Sequence, residues 1–455
     1  MQKKGYLLIL GVLASGCAGK EIRPTAPMPE SPQADAVTTP PSVVEVPVDP
    51  TFDIRTTVVK MPENSADYHF SMAQAYSNEG HPDRAIEEYK LALAYDTKSA
   101  LIHARIAAEY IKKGMISEAL ESSRAAIKLN PDYVDARLML AGLYSATRDV
   151  PAALAEYEKI LKKNPTHEEA AIYRAQVLLE ANQAAQSVQK LKTFLKLMPE
   201  SALAWYYLGR TEQKLAHFQP AAVAYKRAID LRPGFVQASL SLGFMYEEKQ
   251  MNNEALLVYQ DLFDQSQDSV AANRIATVHL KAERYQEAIP YLEAISKIDP
   301  DDLNAQVKLG LVWMELKQFD KAAVQFKAIL LKNPESDRVH FYLGNVYEEQ
   351  GKAQEAVSQL SHITNESKLY SDAVVHIGLL MKQQGKKEAA LGHIDRAIEK
   401  LPRVSTFYLF KASIHEEQGQ LETAVKTLEE AVRVLPEDEK VKYYLGSLYD
   451  RQGKI

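Results

Sequence analysis

Few residues in this 455-residue chain stand at spacings that would let them do chemistry. Two stretches, His167-Glu168-Glu169 and His415-Glu416-Glu417, begin as a helical zinc site would. Both lack the second histidine, four residues after the first, that would put two imidazoles on one helical face. The 11 histidines are scattered rather than grouped, and no metal is expected. No serine stands in a nucleophile elbow, no glycine-rich loop follows a strand to cradle phosphate, and no catalytic cysteine is present. Asp299 to Asp302 form an acidic cluster around Pro300, read as a solvated turn with an N-cap aspartate. The chain is therefore expected to bind rather than to catalyse, without a cofactor.

The elements that would position a binding surface are written in the spacing of small residues. One recurs at Ala73, Ala107, Ala141, Ala175, Gly209, Gly243, Ala276, Gly310, Gly344, Gly378, Ala412 and Gly446, every step being 34 residues except one of 33. A second ladder runs through Ala85, Ala119, Ala153, Ala221, Ala255, Ala288, Ala322, Ala356, Ala390 and Ala424, interrupted by Ser187. Such periods mark a stacked solenoid, in which one unit cannot bury its apolar face alone and its neighbours complete the core. Large residues at helical spacing around the small ones, such as Trp205, Leu208, Tyr225 and Ile229, make each unit two amphipathic helices. Gly80, Gly114, Gly351, Gly385 and Gly419 supply left-handed stops between the two helices. Pro131, Pro165, Pro199, Pro233, Pro300, Pro334, Pro402 and Pro436 follow the second helix and are suited to opening the next.

The pattern W-x2-L-G, then A-x3-Y-x2-A, then P, as it runs from Trp205 to Pro233, resembles the tetratricopeptide repeat. It covers residues 66–455 in eleven complete units followed by a lone first helix. The resemblance implies an all-α solenoid, a right-handed superhelix whose first helices line a concave groove that holds other proteins. Carried onto this sequence, the groove positions give a central patch of Tyr206, Tyr207, Arg210, Leu240 and Phe244 and a later set of Phe341, Tyr342, Asn345 and Phe410. Rigid aromatics beside an arginine are the side chains most enriched in binding hot spots, although an aromatic at these places also serves packing. The carboxylate clamp of some eukaryotic members needs a lysine one turn before an asparagine. Here Asn345 has Phe341 at that place, so capture of a C-terminal carboxylate in that manner is not expected.

Residues 1–16 place Lys3 and Lys4 before an apolar run from Tyr6 to Leu13, a signal peptide too short to span a membrane. The following Ala14-Ser15-Gly16-Cys17 resembles the lipobox of bacterial lipoproteins, with Leu13 one place earlier than usual. That resemblance implies lipidation at Cys17, leaving no free thiol and no disulfide, which suits an oxidising compartment. Ala18 is not the aspartate that retains such lipoproteins at the inner membrane, so the expected location is the periplasmic face of the outer membrane. Residues 17–65 hold nine prolines from Pro24 to Pro62 and few large apolar residues. They read as a largely disordered tether, rising about 3.1 Å per residue where polyproline-like. An alternative is that Val43 to Val48 or Thr56 to Val59 adds a strand to a partner.

Charge narrows the partners. Without Lys3 and Lys4 the 54 basic residues become 52 against 60 acidic ones, a net charge near −8, and lysines alternate with carboxylates along the helices. Nucleic acid, which needs a basic stripe, is not expected. Two irregularities interrupt the array. Repeat four carries Arg174 where a leucine belongs and Ser187 where the alanine belongs, implying weaker packing; the 33-residue step near Gln265 to Ser269, which also lacks its proline, implies a bend or softer joint. The last helix carries Tyr443, Tyr444, Leu445 and Tyr449 and places Val441 and Leu448 on a face that a further helix would cover, which raises a partner protein, self-association or a truncated gene product. The function expected from the two resemblances is that of a lipid-anchored, periplasm-facing scaffold for other envelope proteins, in an assembly of the secretion, pilus or exopolysaccharide-export type. The alternative is direct binding of a secreted polysaccharide by the groove aromatics.

Overall fold

The computed structural model describes residues 65–453. Cys17, the signal segment and the proline-rich stretch lie outside the described residues. Among those described there are 23 helices and no strand, and they fall into two units that divide after Gln265. That division coincides with the 33-residue step.

The first unit stacks six hairpins: α1 (Ala66–Asn78) with α2 (Pro82–Tyr95), α3 (Ala100–Lys112) with α4 (Ile116–Leu129), α5 (Val134–Ala146) with α6 (Val150–Lys163), α7 (Glu168–Glu180) with α8 (Ala184–Leu197), α9 (Ala202–Lys214) with α10 (Phe218–Leu231), and α11 (Val236–Glu248) with α12 (Asn252–Ser266), whose last residue crosses the division. The second stacks five hairpins and a single helix: α13 (Ser269–Lys281) with α14 (Tyr285–Ile298), α15 (Leu303–Glu315) with α16 (Phe319–Lys332), α17 (Asp337–Glu349) with α18 (Ala353–Leu360), α19 (Tyr370–Gln383) with α20 (Lys387–Lys400), α21 (Ser405–Glu417) with α22 (Leu421–Val434), then α23 (Glu439–Gln452).

The small-residue ladders do what helix packing requires. Every alanine of the second ladder is fully buried, and in the first a Cβ on Gly209 would lie 2.6 Å from the Tyr225 ring, on Gly310 2.5 Å from Phe326 and on Gly344 2.8 Å from Leu360. Ser187 is as buried as the alanines it replaces, because its hydroxyl donates to the Ala175 carbonyl at 3.0 Å. The expected weakness at this position is thus offset by a satisfied hydroxyl. Side-chain caps open many first helices; Ser201 accepts from the Ala204 amide at 3.0 Å and Asp302, within the acidic cluster, from Ala305 at 3.1 Å. His167 caps α7 through Nδ1, and His415 pairs its Nδ1 with Gln420, so the two zinc-like stretches serve local structure.

A left-handed residue joins the helices of every hairpin. Five are the glycines already named, with φ from 71° to 77°, and the rest are Arg148, Asn182, Ala216, Gln250, Glu283 and Lys317, with φ from 56° to 60°. In each, the amide after the left-handed residue donates to a carbonyl five residues back, as in Asp149 to Tyr144 and His217 to Glu212, closing the last turn. The prolines after the second helices do not open the next helix as expected. Pro131 lies in the turn, three residues before α5 begins, and its carbonyl accepts from Arg137. The Trp205 indole, Gln306 and His340 bond to Pro199, Pro300 and Pro334 in the same way.

Two places depart from the regular pattern. The second helix of the ninth hairpin stops at Leu360 after eight residues, and residues 361–369 form turns instead. Ile363, Thr364 and Asn365 are poor helix formers at the point where the helix ends. Buried Ile363 plugs the core there, and the His362 ring stacks on His340 with centroids 4.5 Å apart. The array therefore has ten full hairpins and one shortened one, rather than eleven complete units. At α23, Val441 and Leu448 are not on an uncovered face. Both are fully buried against Tyr408, Val425 and Leu428, because the helix docks on the preceding hairpin through that stripe. Its outer side carries Lys442, Tyr443, Gly446 and Asp450, polar enough to face water.

Candidate binding groove

Successive first helices touch within each unit, α7 meeting α9 and α19 meeting α21. Polar side chains brace these contacts. Gln176 on α7 donates to the Tyr207 hydroxyl on α9, Lys308 on α15 to Asn273 on α13 at 3.2 Å, Lys382 on α19 to Glu417 on α21 at 2.7 Å, and the Tyr444 hydroxyl on α23 to Glu416. Some of the residues that sequence assigned to binding are thus already occupied in holding one hairpin to the next.

In the first unit Tyr206, Tyr207 and Arg210 form one patch on α9. The two tyrosine rings meet edge to face at 5.2 Å, and the Arg210 guanidinium lies 5.8 Å and 5.4 Å from their centroids. Tyr206 also approaches Tyr225 at 6.0 Å and Phe235, the cap of α11, at 5.2 Å. Both tyrosines are half-buried and Arg210 is exposed, so the patch presents ring edges and a cation to solvent on a rigid base. Burial pushes the Tyr207 phenol above its ordinary value, with Arg210 pulling the other way; it stays a neutral donor and acceptor. Leu240 and Phe244 stand one turn apart on α11, both half-buried, with Phe244 edge-on to Tyr259 at 6.5 Å.

The second unit divides its set differently. Phe341 remains half-buried on α17, 6.2 Å from the His376 ring of α19, and the Asn345 carboxamide oxygen, one turn on, is buried without a hydrogen bond. Tyr342 and Phe410 are buried, which leaves little of either ring to meet a partner. Tyr342 packs against Phe326 at 5.7 Å, and Phe410 fills the space that Gly378 leaves, its ring 2.4 Å from where a Cβ would stand. On α23 Tyr443 is 82% exposed, whereas Tyr444 is tied to Glu416. Sequence reasoning gave no role to His376, whose Nε2 bonds Glu348 across α17 and α19; its place on a first helix was the available signal.

Among the described residues no helix is long and apolar enough to cross a membrane.

Tetratricopeptide-repeat models match residues 66–99, 110–177, 279–343 and 377–439. A search of curated proteins returns no match. Among solved structures, this chain is similar to a tetratricopeptide repeat protein from Parabacteroides merdae at 16% identity, over 54% of this chain and 98% of that one, with a TM-score of 0.40. It is similar to the yeast Tom70 at 14% identity, over 85% and 96%, with a TM-score of 0.33. A third similar structure is that of Naa15/Naa10 bound to HypK-THB, at 16% identity over 86% of this chain and 66% of that one, with a TM-score of 0.34. The repeat models, the two small-residue ladders and the stacked hairpins agree, and the chain is a tetratricopeptide-repeat protein, built as a scaffold for protein–protein interaction.

Proposed function

We propose that this protein is a lipid-anchored scaffold that holds protein partners of an envelope assembly at the periplasmic face of the outer membrane. The observation that carries the scaffold reading is the patch of Tyr206, Tyr207 and Arg210, rigid aromatics with an exposed cation on a first helix of the stack. Support for the anchor comes from sequence alone: a charged start, an apolar run and Ala14-Ser15-Gly16-Cys17. Durable attachment by acyl chains follows from methylene burial when two or more are present.

Arg210→Glu tests the groove without touching the core. Crosslinking followed by purification from solubilised envelopes should recover defined proteins with the parent chain and lose them with this variant, at unchanged melting temperature. Equal recovery would remove the patch from the binding surface, and co-purification of a glycan polymer with no protein would favour the polysaccharide reading. Cys17→Ser should move the protein from the membrane fraction to the soluble periplasm; retention in the membrane would defeat the anchor.

A further inference from the structure

Arg174 is the feature of the array that the groove does not explain. It occupies a position of α7 where the repeat takes a leucine, and its side chain is only 9% exposed. One arm of the guanidinium reaches Glu158 of α6 at 3.2 Å, but its Nε is buried with no acceptor. A buried donor without an acceptor loses its hydration with nothing in return, the more so when charged, and burial pushes the Arg174 pKa down.

The arginine borders a cleft of about 490 Å³ between the second helices α6 and α8. The floor is apolar, made by Leu161, Phe194 and Leu197, and Leu197 is left 53% exposed. The walls are cationic. Lys190 reaches the same Glu158 oxygen at 2.7 Å, so one carboxylate serves two cations, and Lys162 stands exposed at the rim. Lys159 also lines the cleft but is paired with Glu156 at 2.7 Å. Leu161, Phe194 and the aliphatic stems of the lysines offer contact to an apolar side chain, while Lys162, Lys190 and Arg174 are short of carboxylates.

We propose that this cleft takes an acidic segment of a partner protein, one carrying an apolar side chain between its carboxylates. The apolar side chain would cover Leu197 and Phe194, and a carboxylate would relieve the shared use of Glu158 and give Arg174 a second acceptor. The surface is formed mainly by the second helices α6 and α8, with Arg174 reaching it from α7, whereas Tyr206, Tyr207 and Arg210 stand together on α9 and none of them lines the cleft, so the first unit holds two separate docking places.

The test is fluorescence anisotropy of a labelled synthetic peptide of alternating Asp and Glu with one central leucine, titrated with the full chain. Binding should weaken with salt, and Lys162→Glu combined with Lys190→Glu should weaken it by about tenfold or more, as loss of opposite-charge contacts entails. Arg174→Leu restores the leucine of the repeat, so it should melt no lower than the parent yet lose the peptide. The proposal is overturned if the peptide does not bind, or if the two lysine reversals and Arg174→Leu both bind as the parent does. It is overturned equally if the same peptide without its leucine, or oligogalacturonate, binds as tightly, since the cleft would then be only a patch of positive charge.

Discussion

Replacing Ala216 with glycine should make the fifth hairpin more stable. Ala216 holds φ 58° in the turn between α9 and α10. The left-handed conformation costs an L-residue about 1–2 kcal/mol, and glycine's greater freedom in the unfolded chain returns about 0.5–1 kcal/mol of that. The net gain is about 0.5–1 kcal/mol. Asn182, at φ 58° in the preceding hairpin, is the control, because asparagine already tolerates this region, and Asn182→Gly should change little. The reverse control is Gly351→Ala. A Cβ there meets no atom within 4 Å, so its cost, about 1 kcal/mol, is that of the backbone alone. Each hairpin contacts only its neighbours, so the change should be local. Amide exchange in α9 and α10 should slow about two- to fivefold in Ala216→Gly, the factor that corresponds to this energy. Combining Arg148, Ala216, Gln250, Glu283 and Lys317 to glycine should raise the stability in urea unfolding by roughly 2.5–5 kcal/mol where the five turns contribute additively. Faster exchange in Ala216→Gly, or an equal gain from Asn182→Gly, would refute the view that these turns store left-handed strain.

Two further outcomes follow from packing and charge. Gly209→Ala should cost about 1–3 kcal/mol by overpacking against the fully buried Tyr225 ring, whereas Gly446→Ala, with nothing within 4 Å, should gain about 0.5–1 kcal/mol; paired urea titrations read the contrast. Burial, assisted by Arg396, holds the His393 imidazole below its ordinary 6.5. The unfolded chain then binds a proton that the folded chain does not, so stability falls as pH drops from about 6.5 toward the folded value, and His393→Gln should flatten that part of a melting-temperature profile; an unchanged slope would assign it elsewhere.

The fold was legible because helix packing leaves little choice at Gly209, Gly243, Gly310 and Gly344, where a Cβ would come within 3 Å of a ring or a leucine of the paired helix. The left-handed turns were legible in five hairpins only, since Arg148, Gln250 or Lys317 carries no chemical mark of positive φ. Reading Val441 and Leu448 as uncovered assumed that an apolar stripe faces the following helix, when the preceding hairpin claims it. Of the positions assigned to the groove, Tyr206 and Arg210 keep solvent exposure while Phe410 is buried, because a glycine opposite, Gly378, leaves room for its ring. The shortened α18 depends on a sum of weak propensities that no single residue announces. Arg174 was visible as an anomaly, yet only the packing shows that it opens a cleft rather than a defect.

The early stop of α18 also bears on how such a chain can change. Six residues of helix are replaced by turns between Leu360 and Tyr370, yet the small-residue ladder keeps its 34-residue step from Gly344 to Gly378. An irregularity confined to one unit leaves the phase of the next untouched, so the segment behaves as an exchangeable insert. Sequences of different length or character spliced between Thr364 and Leu369, beyond the buried Ile363, should be absorbed without moving α19, making this the place where a new specificity can be grafted while the rest of the array stays as it is.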